Sequence, residues 1–443
     1  MKWKIMFCGA VCILLILTTA NAQMGRQWPS EKKIVPDPVT GVPLTFLTST
    51  ENGRQSKIYQ THRQWTADGK WVIFRGSRQD SGSQVFAANE ESGQIVQVTE
   101  TGFTGMPCAA HKTMKLFVVP GGGRGRSSAP RQILEIDMEK LFADVAAGTV
   151  EPANDYQRVC GTIPASLNCD GNMGLDANDD FMYFRVNGPE TEALSEGQKL
   201  EPAFGPRFRQ GTSGLRSMNL KTGDIKLICN VGFGMGHVQT NPWNSREIIF
   251  CWETGGKAPQ RTWTVMADGT GLRPLYPEAP YEWITHEAVI GKDEVVIAML
   301  GHRDIGRATP DSDWGIAGTM EHPTGVGIVN LRTRKMRLVG QVPTWAEGTS
   351  DWHVAGSADG RWAAFDDFNY QLWLVDRHNG ETIMLASSQK RGSDHIHPTF
   401  SADNTKIEIQ SALISEDNRS LNICVVPIPK SLLARTYAQK IVP

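Results

Sequence analysis

The chain has 443 residues, with 45 basic side chains against 47 acidic ones, so no nucleic-acid partner is expected from its charge. Beyond the first 22 residues no apolar run is long enough to cross a bilayer, and no membrane span is expected. The length fits two or three ordinary domains or one large propeller.

In chain order, the first element is a leader. Lys2 and Lys4 precede an apolar run from Ile5 to about Leu17, and Ala20-Asn21-Ala22 offers a small-residue cleavage site. This is the pattern of a secretory signal over residues 1–22, and it predicts a periplasmic or secreted mature chain over 23–443. Six cysteines follow the leader: Cys108, Cys160, Cys169, Cys229, Cys251 and Cys424. None forms a zinc-type CxxC pair. Cys160 and Cys169 are near enough in sequence to bridge in an oxidising compartment, and several of the six read equally as small buried apolar residues.

An orphan strand, VPLTFLTS near residue 45, follows the turn DPVTG. Short apolar strands then recur: WVIF, LFVV, FMYF, EIIF, VVIA, WAAF and KIEI. Most lead into a second strand and a turn of Asp, Asn or Gly, as in LRSMNLKTGDIKLI and LWLVDRHNGETIML. Strand, turn, strand at this spacing is hairpin grammar. Between the strands, residues 121–130 read as a basic flexible loop and MEKLFADV (138–145) as a short helix. The stretches 187–213 and 302–323 are insertions long enough to wall a cleft.

Aligning the strands gives seven units, with His62, Pro107, Asn172, His237, His286, His353 and His397 in equivalent positions. A four-stranded unit cannot bury both faces alone, so units stack around an axis. The predicted fold is all-β, one seven-bladed β-propeller domain over 23–443. The last unit ends at LNICVVPIP, one strand short. The orphan N-terminal strand is expected to complete it, closing the ring and removing exposed edges.

Histidines in one slot of successive blades converge on a channel mouth, which points to a metal site or acid–base chemistry. The period-two spacing of His395-Ile396-His397 turns both imidazoles to one side, as a metal with a third ligand from another blade requires. Read alone, the same pair is a polar strand entrance. His237, Gln239 and Asn241 form a polar row that fits a solvent-lined site, with Gln239 a candidate for substrate binding. Glu287 should face away from His286, as a packing or supporting group. His62 and His353 either join the site or donate to a backbone carbonyl. Arg63, Arg75, Arg78, Arg207, Arg209 and Arg216 are candidates for binding a carboxylate, although an arginine taken singly is more often a solvated surface residue. Trp65, Trp71 and Trp362 read as packing between blades, Trp283 and Trp352 as the border of a sugar platform. The chain has no Walker motif, no dinucleotide fingerprint and no GxSxG elbow.

The segments LRSMNLKTG, GHVQTNPWNSREIIFCWE, RTWTVMADGTGLRPL, ITHE, SDWHVAGSADGRWAAFDD and HIHPTFSADN, in that order, resemble the oligogalacturonate lyases. The resemblance is strongest from about residue 216 to 410. It implies β-elimination from a uronic-acid oligosaccharide or polysaccharide, leaving a 4,5-unsaturated uronate. It further implies His237 as the base and His286, His395 and His397 as ligands of a divalent metal, typically manganese, with calcium or zinc as alternatives. The chain departs from that pattern at Gly392, where the family has a glutamine ligand, and at Gly214, where it has an arginine. The family is also usually cytoplasmic. His62, Arg75 and Arg78 are candidates to compensate at the catalytic centre, and His353, Arg207 and Arg209 in binding substrate. A propeller lyase on the glucuronate of ulvan or of rhamnose–glucuronate chains is a neighbouring reading. A TolB-like propeller that binds protein or glycan is the non-enzymatic one.

Overall fold

Short apolar runs bounded by turn residues pair into seven antiparallel sheets in the computed structural model, the blades of a propeller. The structure describes residues 23–78, 81–121, 129–195, 211–253, 258–279, 282–302, 324–341 and 351–437. Residues 1–22, read as a leader, Arg207, Arg209 and most of the insertions around 122–128, 196–210 and 303–323 lie outside them.

Blade 1 is built around Gly53–Lys57, Trp71–Arg78, Ser83–Asn89 and Ile95–Gln97, with Gln27–Trp28 added at its rim. Blades 2 to 6 follow in chain order, each of four consecutive strands. Blade 7 contains Thr399–Phe400, Lys406–Ser411 and Asn422–Pro427, and two N-terminal strands, Pro43–Phe46 and Lys33–Pro36, lie in the same sheet. Thr45 pairs with Val425 and Phe46 with Cys424.

The first, inner strands of blades 2 to 7 contact one another in succession, and that of blade 1 contacts Lys406–Ser411 and Asn422–Pro427 of blade 7. The recurring Ser/Thr-Ala-Asp turn ends these inner strands by one device. Ser357 Oγ donates to Asp359 Oδ1 at 2.5 Å, which also accepts from Arg361 N–H, and Ser357 Oγ accepts from Trp362 N–H at 2.8 Å. Thr66-Asp68 and Ser401-Asp403 repeat it. Alternate strand positions fill the seams between blades. One seam joins Val296, Ala298, Val326 and Ile328 of blade 5 to Val354, Phe365, Trp373 and Val375 of blade 6.

The expected helix is present as Met138–Ala147, capped by Asp137, whose carboxylate accepts from Lys140 N–H, and ended by Gly148 at φ 73°. Its buried residues Met138, Leu141, Phe142 and Val145 pack on blades 1 and 2. The six cysteines after residue 22 are buried free thiols; Cys160 and Cys169, near enough in sequence to bridge, instead fill one apolar seam. Among the described residues no helix is long and apolar enough to cross a membrane.

Candidate functional site

The inner strands do not run straight past the axis, and that irregularity builds the site. In blade 4, Gly236 faces Cys251 and Gln239 faces Ile249: three steps on the inner strand against two on its neighbour. The extra residue is a β-bulge at His237-Val238, and His237 takes the left-handed φ of 48°. Blade 5 repeats the insertion at Thr285-His286 and blade 6 at Trp352-His353. In blade 7, Gln410 N–H donates to Ile396 O while Thr399 faces Glu408, which puts the bulge at His397-Pro398, with φ 50° at His397. Each bulge turns one imidazole toward the axis.

Blades 2 and 3 bulge too, between Thr104 and Cys108 and between Cys169 and Met173, but supply no imidazole. Their bulges pack backbone to backbone. A Cβ on Gly105, at φ 75°, would meet Gly171 O at 2.1 Å.

His237 is held by a buried carboxylate. Its Nδ1–H donates to Glu287 Oε1 at 2.7 Å, and Arg261 Nε donates to Glu287 Oε2 at 3.0 Å. Arg261 Nη2 lies 3.3 Å from the same ring nitrogen. The nearer carboxylate takes the imidazole proton. The other ring nitrogen, Nε2, lies 3.3 Å from Glu253 Oε2, whose side chain is 38% exposed. Glu287, expected as a packing or supporting group, supports His237 on the blade before.

The other imidazoles form one cluster. The His353 ring centroid is 3.7 Å from that of His397, 4.1 Å from His286 and 5.4 Å from His395. Three of the four anchor Nδ1 and leave Nε2 for other use. His286 Nδ1–H donates to the Trp352 carbonyl at 2.7 Å, His353 Nδ1–H to Asp366 Oδ2 at 3.0 Å, and His397 Nδ1–H to Gln60 Oε1 at 3.2 Å. Asp366 is the hub, also accepting the backbone N–H groups of His353, Ile396 and His397. Burial pushes the pKa of His286 and of His353 well below the ordinary value, reinforced most strongly at each by a neighbouring imidazole. Burial also lowers that of His395. These rings are neutral at neutral pH and carry lone pairs.

A divalent cation fits this donor set. Ligand atoms of His353, Asp366 and His395 lie within 4.8 Å of one another. His395 Nδ1 and His397 Nε2 are buried with no hydrogen-bond partner, although His397 Nε2 is 3.2 Å from Asp394 Oδ2. A carboxylate behind a histidine is the usual support for a metal ligand. His237, Cys251 and Glu253 make a second close group. There burial holds the Cys251 thiol well above its ordinary pKa, and Arg261 supplies a positive charge.

Of the sequence candidates, His237, His286, His395 and His397 are brought together. His353, expected to bind substrate, instead sits at the centre of the imidazole cluster. His62 leaves the site: its Nε2 donates to Met173 O at 2.7 Å and its Nδ1 meets Thr61 Oγ1. Arg78 is a buried structural cation, paired with Glu31 at 2.5 Å and set over Trp28, Phe74 and Phe86. Arg75 Nε donates to Lys57 O. Gln239 joins blades 4 and 5, its amide donating to Glu287 O and accepting from Val289 N–H. At Gly392 a Cβ would meet Leu421 Cδ2 at 2.5 Å, and at Gly214 one would meet Asn230 Oδ1 at 2.5 Å, so a side chain at either position requires that neighbour to shift. Trp283 is buried, whereas Trp352 borders His286 and His395 beside Phe368 and Tyr370.

Sequence reasoning missed Asp366, Arg261, Gln60 and Tyr59. Asp366 had a legible signal, since two acids end the apolar strand WAAFDD. Tyr59 had none, because it arrives on a distortion peculiar to blade 1.

No family model matches the chain, and no curated protein matches it in sequence. By structure it is similar to an oligogalacturonate lyase solved in complex with manganese, at TM-score 0.70 and 18% identity over 93% of this chain and 100% of that one. An oligogalacturonate lyase from Vibrio parahaemolyticus superposes at TM-score 0.69, with 18% identity and the same coverage. The fold is common to all three.

Proposed function

We propose that the protein is an exported lyase that cleaves uronic-acid glycans by metal-assisted β-elimination. The observation that carries this is His237, braced by Glu287 next to four imidazoles with buried, partnerless ring nitrogens among them. The fold shared with oligogalacturonate lyases and the leader at residues 1–22 support it.

In this reading His353, His395, His286 and His397 would hold a divalent ion, with Asp366 in support, and manganese is the first metal to test, calcium or zinc next. When bound, the ion neutralises the uronate carboxylate and makes the proton beside it more acidic. His237 Nε2 takes that proton from C5, while Glu287 keeps Nδ1–H in place and stabilises the imidazolium. Glu253, partly open to solvent, receives the proton from Nε2 afterwards. Trp352, Phe368 and Tyr370 offer apolar faces to the sugar.

The test is to incubate the mature protein with oligogalacturonate, ulvan and rhamnose–glucuronate chains, with and without manganese, calcium or zinc, and follow the ultraviolet absorbance of the unsaturated product. Metal-dependent absorbance on one of them is expected. A flat trace on all three with the metal bound would leave a glycan- or protein-binding propeller.

A further inference from the structure

We propose that Tyr59 is the acid of the elimination, donating its phenolic proton to the glycosyl oxygen that leaves C4. This rests on the lyase reading above and supplies a step that His237 alone leaves open.

The argument begins with blade 1. Its inner strand pairs normally up to Lys57, opposite Phe74, and resumes at Trp65, opposite Val72. On the partner strand those two points are two residues apart, whereas Ile58–Gln64 intervene on the inner strand. No other blade has so long an insertion among the described residues. It is fixed at several points. Ile58 is buried, Gln60 Nε2 donates to Val354 O, and Gln64 Nε2 donates to the carbonyls of Tyr59 and His62. The insertion delivers one aromatic ring to the axis, half-buried among the imidazoles. The Tyr59 centroid is 4.9 Å from His237, 5.2 Å from His397 and 6.2 Å from His353. Tyr59 therefore packs against both the base and the imidazole cluster.

Its hydroxyl has no hydrogen-bond partner among the described residues. A phenol carries its proton at neutral pH, so the hydroxyl has one to give. Cys251, the other protonated acid nearby, is wholly buried.

The step balances. His237 Nε2 takes the proton from C5, leaving an enolate-like carbanion conjugated with the uronate carboxylate; its electron pair then becomes the C4=C5 double bond as the C4–O bond breaks. The departing oxygen takes the Tyr59 proton, and the tyrosinate regains one from water. Acid and base act on adjacent carbons, as their close placement allows.

The test uses the full mature protein with bound metal, in D2O, on whichever of the three glycans the wild type cleaves. Tyr59→Phe keeps the ring, and its melting temperature should match the wild type. Elimination should fall by about 10²- to 10⁴-fold. Deuterium should still enter C5 of the uncleaved glycan, because the base step survives when the leaving step fails. His237→Ala should lose both. Retention of cleavage by Tyr59→Phe would overturn the assignment. Loss of cleavage and exchange together would do so too, because it would place Tyr59 in support of the base. If the wild type cleaves none of the three, the lyase reading fails first, and Tyr59 has no reaction to serve.

Discussion

At the scale of single residues, the site separates groups that do chemistry from groups that hold them. His237 is partly exposed and bonded through one ring nitrogen to a carboxylate that is wholly buried. His237→Ala should therefore cut elimination by about 10²- to 10⁴-fold and leave the melting temperature near that of the wild type. Asp366 touches no substrate in this reading; it orients His353 and ties down the bulge of blade 7. Asp366→Asn should weaken divalent-metal affinity by about 10- to 100-fold, as measured by equilibrium dialysis with manganese. Unchanged affinity would remove Asp366 from the metal's support. His62 shows where counting along a sequence fails. It lies six residues before Asp68-Gly69, as His353 lies before Asp359-Gly360. The insertion at Ile58–Gln64 breaks the equivalence, and the axis meets Tyr59 instead.

At the scale of elements, the strands were legible and their irregularities were not. Alternating apolar residues and Asp-Gly turns mark each blade, because period two and turn chemistry are local properties. A bulge adds one residue without changing composition, so nothing in GHVQT or THEAV announces it. The approximate slots survived because each bulge lies at a similar distance from its turn. The inner strand of blade 1 is also joined to blade 7 through a buried cation. Lys57 Nζ donates to His397 O at 2.6 Å and Thr399 Oγ1 at 2.7 Å, and lies 3.3 Å from Glu408 Oε2. Burial lowers the Lys57 pKa and pushes Glu408 up to about 7, each opposed by the attraction of the other. Lys57→Met leaves a buried carboxylate alone and should cost about 3–5 kcal/mol in urea unfolding. Lys57→Met with Glu408→Leu should recover much of that loss. A double variant no more stable than the single one would show that the hydrogen bonds, not the charge, matter.

At the scale of the whole molecule, burial of neutral imidazoles couples the fold to acid. His62 is lowered from 6.5 to about 4, first by burial. A depressed histidine favours folding fully above its unfolded pKa, and that contribution fades as pH falls toward the folded value. Glu408, raised to about 7, works in the opposite sense over much of the same range. The difference between wild type and a His62→Gln variant isolates the first effect. Their stability gap should shrink by on the order of 3 kcal/mol between about pH 6.5 and pH 4. A gap that stayed constant would mean that His62 keeps no depressed pKa. A ligand that binds only the folded state must also stabilise it, so manganese at about 100 times its Kd should add roughly 2.7 kcal/mol and raise the melting temperature.

The pairing of Pro43–Phe46 with Asn422–Pro427 bears on how the chain is made. The first of these strands leaves the ribosome early, and its partner is nearly the last segment synthesised. Until then it has no sheet to join, and Leu44 and Phe46, both wholly buried in the finished fold, stay bare. Contacts this distant along the chain form slowly, and an unpaired apolar strand is a template for aggregation while it waits. Blades 2 to 6, each made of consecutive strands, escape that delay. A chain stopped before Asn422 would keep the segments for His237 and the imidazole cluster but lose the strand that receives its own beginning.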